Sequence, residues 1–326
     1  MCVAKEIGGG SKILYESRSM ELSRSSKTGR DPLSDVLGVL GARVTRRTRL
    51  EAGGEWAFSF PAVDRLKFVA VLRGSQWMLR PGYAPTFMSA GDVCLLGRTD
   101  YAVASDPDLA PVDGRSLYEG PGADVARVGG DDTVGIGGTV TFADANADFL
   151  LRMLPDFMLI PRTSSGSGAI AAVLTLMTSE IERDTIGGEI VSARLADVLV
   201  VEAIRAYAGE AGQTGMGWLG ALLDPRLGRA LGAMHDDVAG PWTVARLAGV
   251  AGMSRAAFSA EFTRRIGQPP LAYLRAWRLT MARAALLRGD ASVASVAREA
   301  GYSSQSAFSQ AFRRTFGASP RATTDG

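Results

Sequence analysis

The chain has 326 residues, 46% apolar and 21% charged, with a net charge of +2 at pH 7. That length sets two domains as the expectation, and that balance excludes a mostly disordered, collagen-like or disulfide-stapled chain. The small net charge conceals a division: residues 221–326 carry 14 Arg, no Lys and 7 acids, a net +7, while the 22 bases and 27 acids upstream leave −5. Arg in such excess on one compact segment points to a polyanion, because the guanidinium fork fits phosphate oxygens, and nucleic acid is the first candidate. Two cysteines, Cys2 and Cys94, cannot make a disulfide framework and fit a reducing, cytoplasmic setting.

Residues 1–30, with Gly8–Gly10 and six Ser, read as a flexible tail without the apolar run of a signal peptide. Residues 31–145 form an all-β module. Turn residues at Gly53-Gly54, Gly74, Pro81-Gly82, Gly91-Asp92 and Asp106-Pro107 separate short apolar runs such as Leu66–Leu72, broken only by Lys67, and Val93–Leu96. Over 146–210 the period becomes helical. Ile170, Val173, Leu174, Met177 and Ile181 share one stripe, and Val191, Leu195, Val198 and Leu199 another, with Gly187-Gly188 between them. This helical pair is the candidate homodimer seam. Asp197 and Glu202 interrupt its most apolar stretch, so no membrane span is expected. Residues 211–221, Gly-rich and thinly charged, read as a linker before a basic domain at 222–326.

The only histidine, His235, lies among Met234, Asp236 and Asp237 and is expected at an exposed helix end. A Ser/His/Asp triad and a multi-histidine metal site both need more than this. Gly129–Gly138 lacks the Lys-Ser/Thr ending of a phosphate loop. No enzyme, metal site or cofactor is expected. Aromatics of the β module, Trp56, Phe58, Phe60, Trp77, Tyr83, Phe87 and Tyr101, are candidate pocket walls for a small-molecule effector. Cys94 is the candidate for an alternative redox response.

Inside the basic segment the sequence repeats. Val244–Pro270 aligns with Val293–Pro320 after one inserted residue, with thirteen identities over 27 pairs. Each copy reads as a helix-turn-helix. In the first, Val244, Leu247, Ala248 and Ala251 share one face of a short helix; Gly252 turns the chain; Ser254 caps a second helix anchored by Phe258 and Phe262. The second copy answers with Val293, Val296, Ala297 and Ala300, then Gly301, a cap at Ser303 or Ser304, and Phe308 and Phe312. Pro270–Leu287, with its apolar residues at helical spacing, reads as a connecting helix.

With those residues in place, Leu222–Ala322 resembles the DNA-binding domain of the AraC/XylS family of bacterial transcription regulators. The resemblance implies that the second helix of each copy enters the major groove, about 34 Å apart on one face of the duplex. It puts the base-facing positions at Ala256, Ser259 and Ala260 in the first copy and at Gln305, Ser306, Ser309 and Gln310 in the second. Ala260 departs from relatives in which Arg is frequent there; it has no donor for a guanine edge, whereas Gln305 or Gln310 pairs with adenine. Arg255, Arg264, Arg265, Arg313 and Arg314 are the phosphate candidates, and Arg278 is expected to brace the two units. Residues 31–145 resemble the cupin-type effector domain of many members, on Val71-Leu72-Arg73-Gly74 with Trp77 and on Ser89–Val93 followed by Leu95-Leu96. The expected fold is therefore α+β in two domains: a cupin-like β-barrel with a helical dimerisation segment, then an all-α domain with two helix-turn-helix motifs. The implied function is sequence-specific regulation of transcription at a promoter or operator, with RNA polymerase as a further partner. The alternatives are redox control through Cys94 and a cupin-fold enzyme with a DNA-anchoring domain.

Overall fold

A computed structural model describes residues 31–120, 123–142, 147–183, 186–210, 217–289 and 291–324. The expected tail, with Cys2, and residues 211–216 of the expected linker lie outside them. The front half runs α1 (Pro32–Val39), β1 (Arg43–Ala52), β2 (Ala57–Phe60), β3 (Leu66–Arg73), β4 (Ser75–Leu79), β5 (Thr86–Ser89), β6 (Val93–Leu96), β7 (Tyr101–Ala104), β8 (Val112–Asp113), β9 (Val125–Val128) and β10 (Thr133–Thr141). It continues through α2 (Ala147–Leu151), β11 (Phe157–Ile160), α3 (Ser167–Arg183) and α4 (Gly188–Glu210).

The strands make a six-stranded sheet, ordered β11-β6-β3-β10-β1-β9, and a five-stranded sheet, ordered β5-β4-β7-β2-β8. The two sheets face each other across Leu50, Val69, Val71 and Leu96 on one side and Phe58, Met78 and Val103 on the other. They form a jelly-roll-like sandwich rather than a ring closed by hydrogen bonds. The turn that sends β3 into β4 depends on Gly74: its φ is +72° and a Cβ there would stand 2.2 Å from the Asp132 carbonyl oxygen. At Asp92 one carboxylate accepts from Ser89 N and from Arg162 N, both at 2.7 Å, and so ties the β5–β6 turn to the chain leaving β11.

The six-stranded sheet is covered on both faces. Phe68, Ala70, Leu95 and Ile136 point outward into a core shared with Ile170 and Leu174 of α3 and Leu199 and Val200 of α4. Burial on both sides is why β3 reads as a continuous apolar run. Asp197, the interruption in α4, accepts from Val44 N at 2.8 Å, where the β1–β10 register shifts, and so pins the helical pair to the sheet. One correction falls in 146–210: Phe157–Ile160 is a strand, β11, paired to β6. Its short apolar run, read as part of a helical region, belongs to the sheet edge.

The second half is helical: α5 (Gly217–Leu223), α6 (Leu227–Asp236), α7 (Val244–Ala251), α8 (Arg255–Ile266), α9 (Pro270–Arg288), α10 (Val293–Glu299), α11 (Gln305–Phe316) and α12 (Pro320–Thr324). α5 occupies the end of the segment expected to be a linker. No helix among the described residues is long and apolar enough to cross a membrane.

His235 also requires correction. It ends α6 as expected, but its side chain is fully buried because elements from both halves close over it. Its ring stacks on Trp277 at 4.7 Å, and its Nε2 lies 2.8 Å from the Tyr273 hydroxyl, which itself accepts from Trp218 Nε1 at 3.1 Å. With that hydroxyl donating to Nε2, the ring proton sits on Nδ1, 3.6 Å from Asp35 Oδ2 on α1. Phe149 of α2 adds its ring 5.7 Å from Tyr273 and 5.4 Å from Trp277. Burial holds the His235 pKa below its usual value, against the opposing pull of Asp35, Asp236 and Asp31. The unfolded chain protonates this histidine near pH 6.5, so its contribution to stability is complete above about that pH and is lost as pH falls toward the depressed folded value. Urea unfolding at pH 7.5 and 5.5 checks this: His235→Gln, which does not titrate, should lose less stability on acidification than the wild type, and equal losses would contradict it.

Candidate nucleic-acid interface

Each expected helix-turn-helix copy forms, and the two are built alike. Thr243 caps α7 by accepting from Arg246 N, Gly252 turns at φ +65°, and Ser254 caps α8 by accepting from Ala257 N at 3.2 Å. In the second copy Ser292 caps α10, Gly301 turns at φ +76°, and Ser304, rather than Ser303, caps α11 through Ala307 N at 3.2 Å. The inserted residue is absorbed between Gly301 and Ser304. Phe258 and Phe262 are fully buried, 5.5 Å apart, with Phe262 edge-on to Tyr273 of α9. Phe308 and Phe312 repeat the pair at 5.5 Å, with Tyr302 and Phe316 closing the ends.

Anchoring one stripe of each helix turns the other outward. Ala256 and Ala260 are exposed and Ser259 half-buried on α8; Gln305, Ser306 and Gln310 are exposed and Ser309 half-buried on α11. Ser309, Gln310, Arg313 and Arg314 surround one surface hollow. Arg278 donates from Nε to the Val238 carbonyl and from a terminal nitrogen to the Gly240 carbonyl, both at 2.7 Å, while its guanidinium packs against Gly301. It thus links the end of the α6 region to the turn of the second copy, the bracing position expected of it.

The phosphate candidates divide. Arg255, Arg264, Arg313 and Arg314 are exposed. Arg265 is not: its side chain is 11% exposed, with Nε 2.7 Å from Glu261 and a terminal nitrogen 3.6 Å from Asp224. That places Arg265 inside the first unit as an internal tie, against its assignment to phosphate. Arg264 grips the same Glu261 with two hydrogen bonds, at 2.9 and 2.7 Å. Between them these arginines pull the Glu261 carboxyl down to about 2. Glu261 was absent from the sequence-based site, although its i+3 and i+4 spacing to two arginines is a readable ion-pair signal. In the second copy its counterpart is Ala311, and among the described residues no carboxylate is recorded at ion-pair distance from Arg313 or Arg314.

The front half holds a cavity of about 820 Å³ between its sheets. Of the aromatics expected to wall a pocket, Phe60 and Tyr101 do so, stacked at 5.2 Å. Trp56 and Phe58 fill the sandwich core instead. Trp77, Tyr83 and Phe87 do not line the cavity, and Tyr83 and Phe87 are exposed. Cys94 of β6 is completely buried and its thiol is pushed up to about 12. A protonated, inaccessible thiol is a poor oxidant sensor, which counts against the redox alternative.

A compact β-sandwich followed by paired, capped reading helices defines a two-domain DNA-binding transcription regulator. The chain belongs to the AraC family of such regulators. A family profile described as a cupin matches residues 31–209, and one described as a helix-turn-helix domain matches residues 247–326. The chain is 37% identical over 293 residues to a protein described as an AraC-like transcription regulator from Streptomyces lividans, covering 89% of this chain and 96% of that one. It is 30% identical over 302 residues to the HTH-type transcriptional regulator AlkR of Acinetobacter baylyi, covering 89% and 98%. Among solved structures, ToxT of Vibrio cholerae with bound unsaturated fatty acid aligns over 87% of this chain and 94% of that one at 14% identity, with a TM-score of 0.36.

The two arginines on Glu261 should behave differently when removed. Arg265→Ala should lower stability by about 1–3 kcal/mol, because it leaves the partly buried Asp224 without its cation and takes one of two arginines from Glu261. Arg264→Ala, at an exposed pair, should cost under about 1 kcal/mol. Denaturant unfolding of both variants measures the difference, and equal losses would contradict the internal role of Arg265.

Proposed function

We propose that the protein binds an operator as a homodimer, reads bases chiefly through the second helix-turn-helix unit, and regulates rather than catalyses. The observation that carries this reading is the unequal dress of two similarly built helices. Gln305 and Gln310 offer bidentate partners for adenine, with Ser306 and Ser309 beside them, while Ala256, Ser259 and Ala260 suit thymine methyl contacts and shape recognition. Arg255, Arg264, Arg313 and Arg314 serve the phosphate backbone, and the arginines of α11 carry most of that role because Glu261 neutralises part of the charge on α8. Bound at a promoter in the cytoplasm, the protein would meet RNA polymerase. That its relatives are named as transcription regulators supports a non-enzymatic role.

The seam of the proposed dimer is the outer face of α3 and α4. Val191 and Val198, expected on an apolar stripe, are exposed there, as are Leu176 and Ile190. The sandwich cavity serves as the effector site, and its occupant would act by favouring one arrangement of the DNA-binding units over another.

Mobility shifts on upstream DNA of neighbouring genes, across a salt series, test the reading; equal affinity for random sequence would overturn it. Gln305→Ala should lose about 1–3 kcal/mol of discrimination at one base pair. Arg313→Ala should weaken all sequences alike and reduce the salt slope by roughly 0.9. In sedimentation experiments Val198→Glu should shift a dimer to monomers; an unchanged dimer would place the seam elsewhere.

A further inference from the structure

The cavity between the sheets exists because of where small residues fall in β10. Strand alternation sends Ile136 and Val140 outward into the helix-covered core and leaves Gly135, Gly137 and Thr139 on the cavity side. With no side chains at two of those positions, space opens above Gln76, Val69, Leu50 and Val103. A Cβ at Gly135 would come 3.6 Å from Gln76 Oε1 and one at Gly137 3.2 Å from Thr48 Oγ1, both at ordinary backbone angles.

Deep in this space the side-chain cation and the amide that face it, Lys67 and Gln76, have no carboxylate hydrogen-bonded to them, while the carboxylates of the lining, Asp64 and Glu119, stand exposed at its rim. Gln76 is 2% exposed and its Nε2 has no hydrogen-bond partner among the described residues, a state that leaves a buried amide costly unless something fills it. Lys67 alternates inward with Val69 and Val71 of β3. Among the described residues its ammonium meets the Pro61 carbonyl at 3.2 Å and the face of Tyr101 at 4.9 Å, with Asp100 acting at longer range. Arg46, in line with Thr48 and Leu50 on β1, spends a nitrogen on the Tyr118 carbonyl at 2.6 Å. At the rim Asp64 pairs with Arg98 at 2.9 Å and Arg115 with Asp113 at 2.6 Å, while Arg65 and Glu119 are exposed to solvent. Between the donors the walls are Phe60, Tyr101, Tyr118 and aliphatic side chains.

We propose that this cavity binds a small organic acid with an aromatic or aliphatic body, its carboxylate held by Lys67 and an acceptor oxygen met by Gln76. The assignment deepens the effector reading above and rests on it for any effect on DNA. A carboxylate satisfies the inward cation and the idle amide proton at once, while an amine would face Lys67 and Arg46, and a sugar would leave the aromatic and aliphatic walls against hydroxyls.

The test uses the full-length protein in calorimetric titrations with benzoate, 3-phenylpropanoate and octanoate, each paired with its amide. At least one acid should bind tighter than its amide by tenfold or more. Lys67→Met should remove most of that preference, and Gly135→Val, which fills the floor, should abolish binding of acid and amide together. Amides binding as tightly as acids, no acid binding below about 1 mM, or an unchanged acid preference in Lys67→Met would each overturn the proposal. The comparison of acid with amide on the wild-type protein stands even if a variant fails to fold. Mobility shifts without any acid separate the two readings. Specific DNA binding with no acid binding overturns the ligand assignment alone, whereas acid binding by a protein that shows no DNA sequence preference overturns only the regulator reading.

Discussion

Tyr273 is the point at which the two halves of the molecule are joined. Fully buried on α9, it accepts from Trp218 of α5, shares a hydrogen bond with Nε2 of His235 of α6, and lies against Phe149 of α2 and Phe262 of α8. Burial pushes its phenol pKa up, so the hydroxyl stays protonated and available for both bonds. Four helices therefore converge on one side chain, and one of them belongs to the front half. The first helix-turn-helix unit consequently cannot reorient against the sandwich without exposing an aromatic cluster.

The two reading units are similar in backbone and unequal in chemistry. In the first, Glu261 gathers Arg264 and Arg265, and Asp224 holds Arg265 from below, so charge is spent inside the unit. In the second, Ala311 takes the place of Glu261 and the arginines at the end of α11 stay at the surface. The unit welded to the sensor is thus the electrostatically quieter one. This asymmetry is what the proposed division of labour, with most of the recognition in the second unit, rests on.

Much of the fold was legible because local chemistry and tertiary structure agree. The repeat with its capping serines, turning glycines and paired phenylalanines marks α7 to α11 closely, since each signal is satisfied within a few residues of chain. The apolar runs of β3 and β6 were equally readable, whereas β2, β5 and β7 are too short to announce themselves, and Lys67, the one break in the β3 run, proved to be an inward-facing side chain at the cavity. What failed depends on distant partners. Phe157–Ile160 is a strand only because β6 lies beside it. His235 looks exposed among aspartates until α1 and α2 fold over it from nearly two hundred and about ninety residues away. Arg265 and Arg264 are adjacent and alike in sequence, and only the position of Asp224 separates an interior tie from a surface cation.

The connecting helix α9 serves two masters along its length. Tyr273, Leu274 and Trp277 belong to the large core shared with the front half, whereas Leu279, Ala282, Ala285 and Leu286 belong to a second core made with Val296, Ala297, Phe308 and Phe312. The changeover occurs within a single helical turn. The distal unit is therefore a cassette on a fixed strut: exchanging α10 and α11 for those of another regulator would transplant a new operator preference while leaving the sensor, its cavity and its aromatic weld untouched.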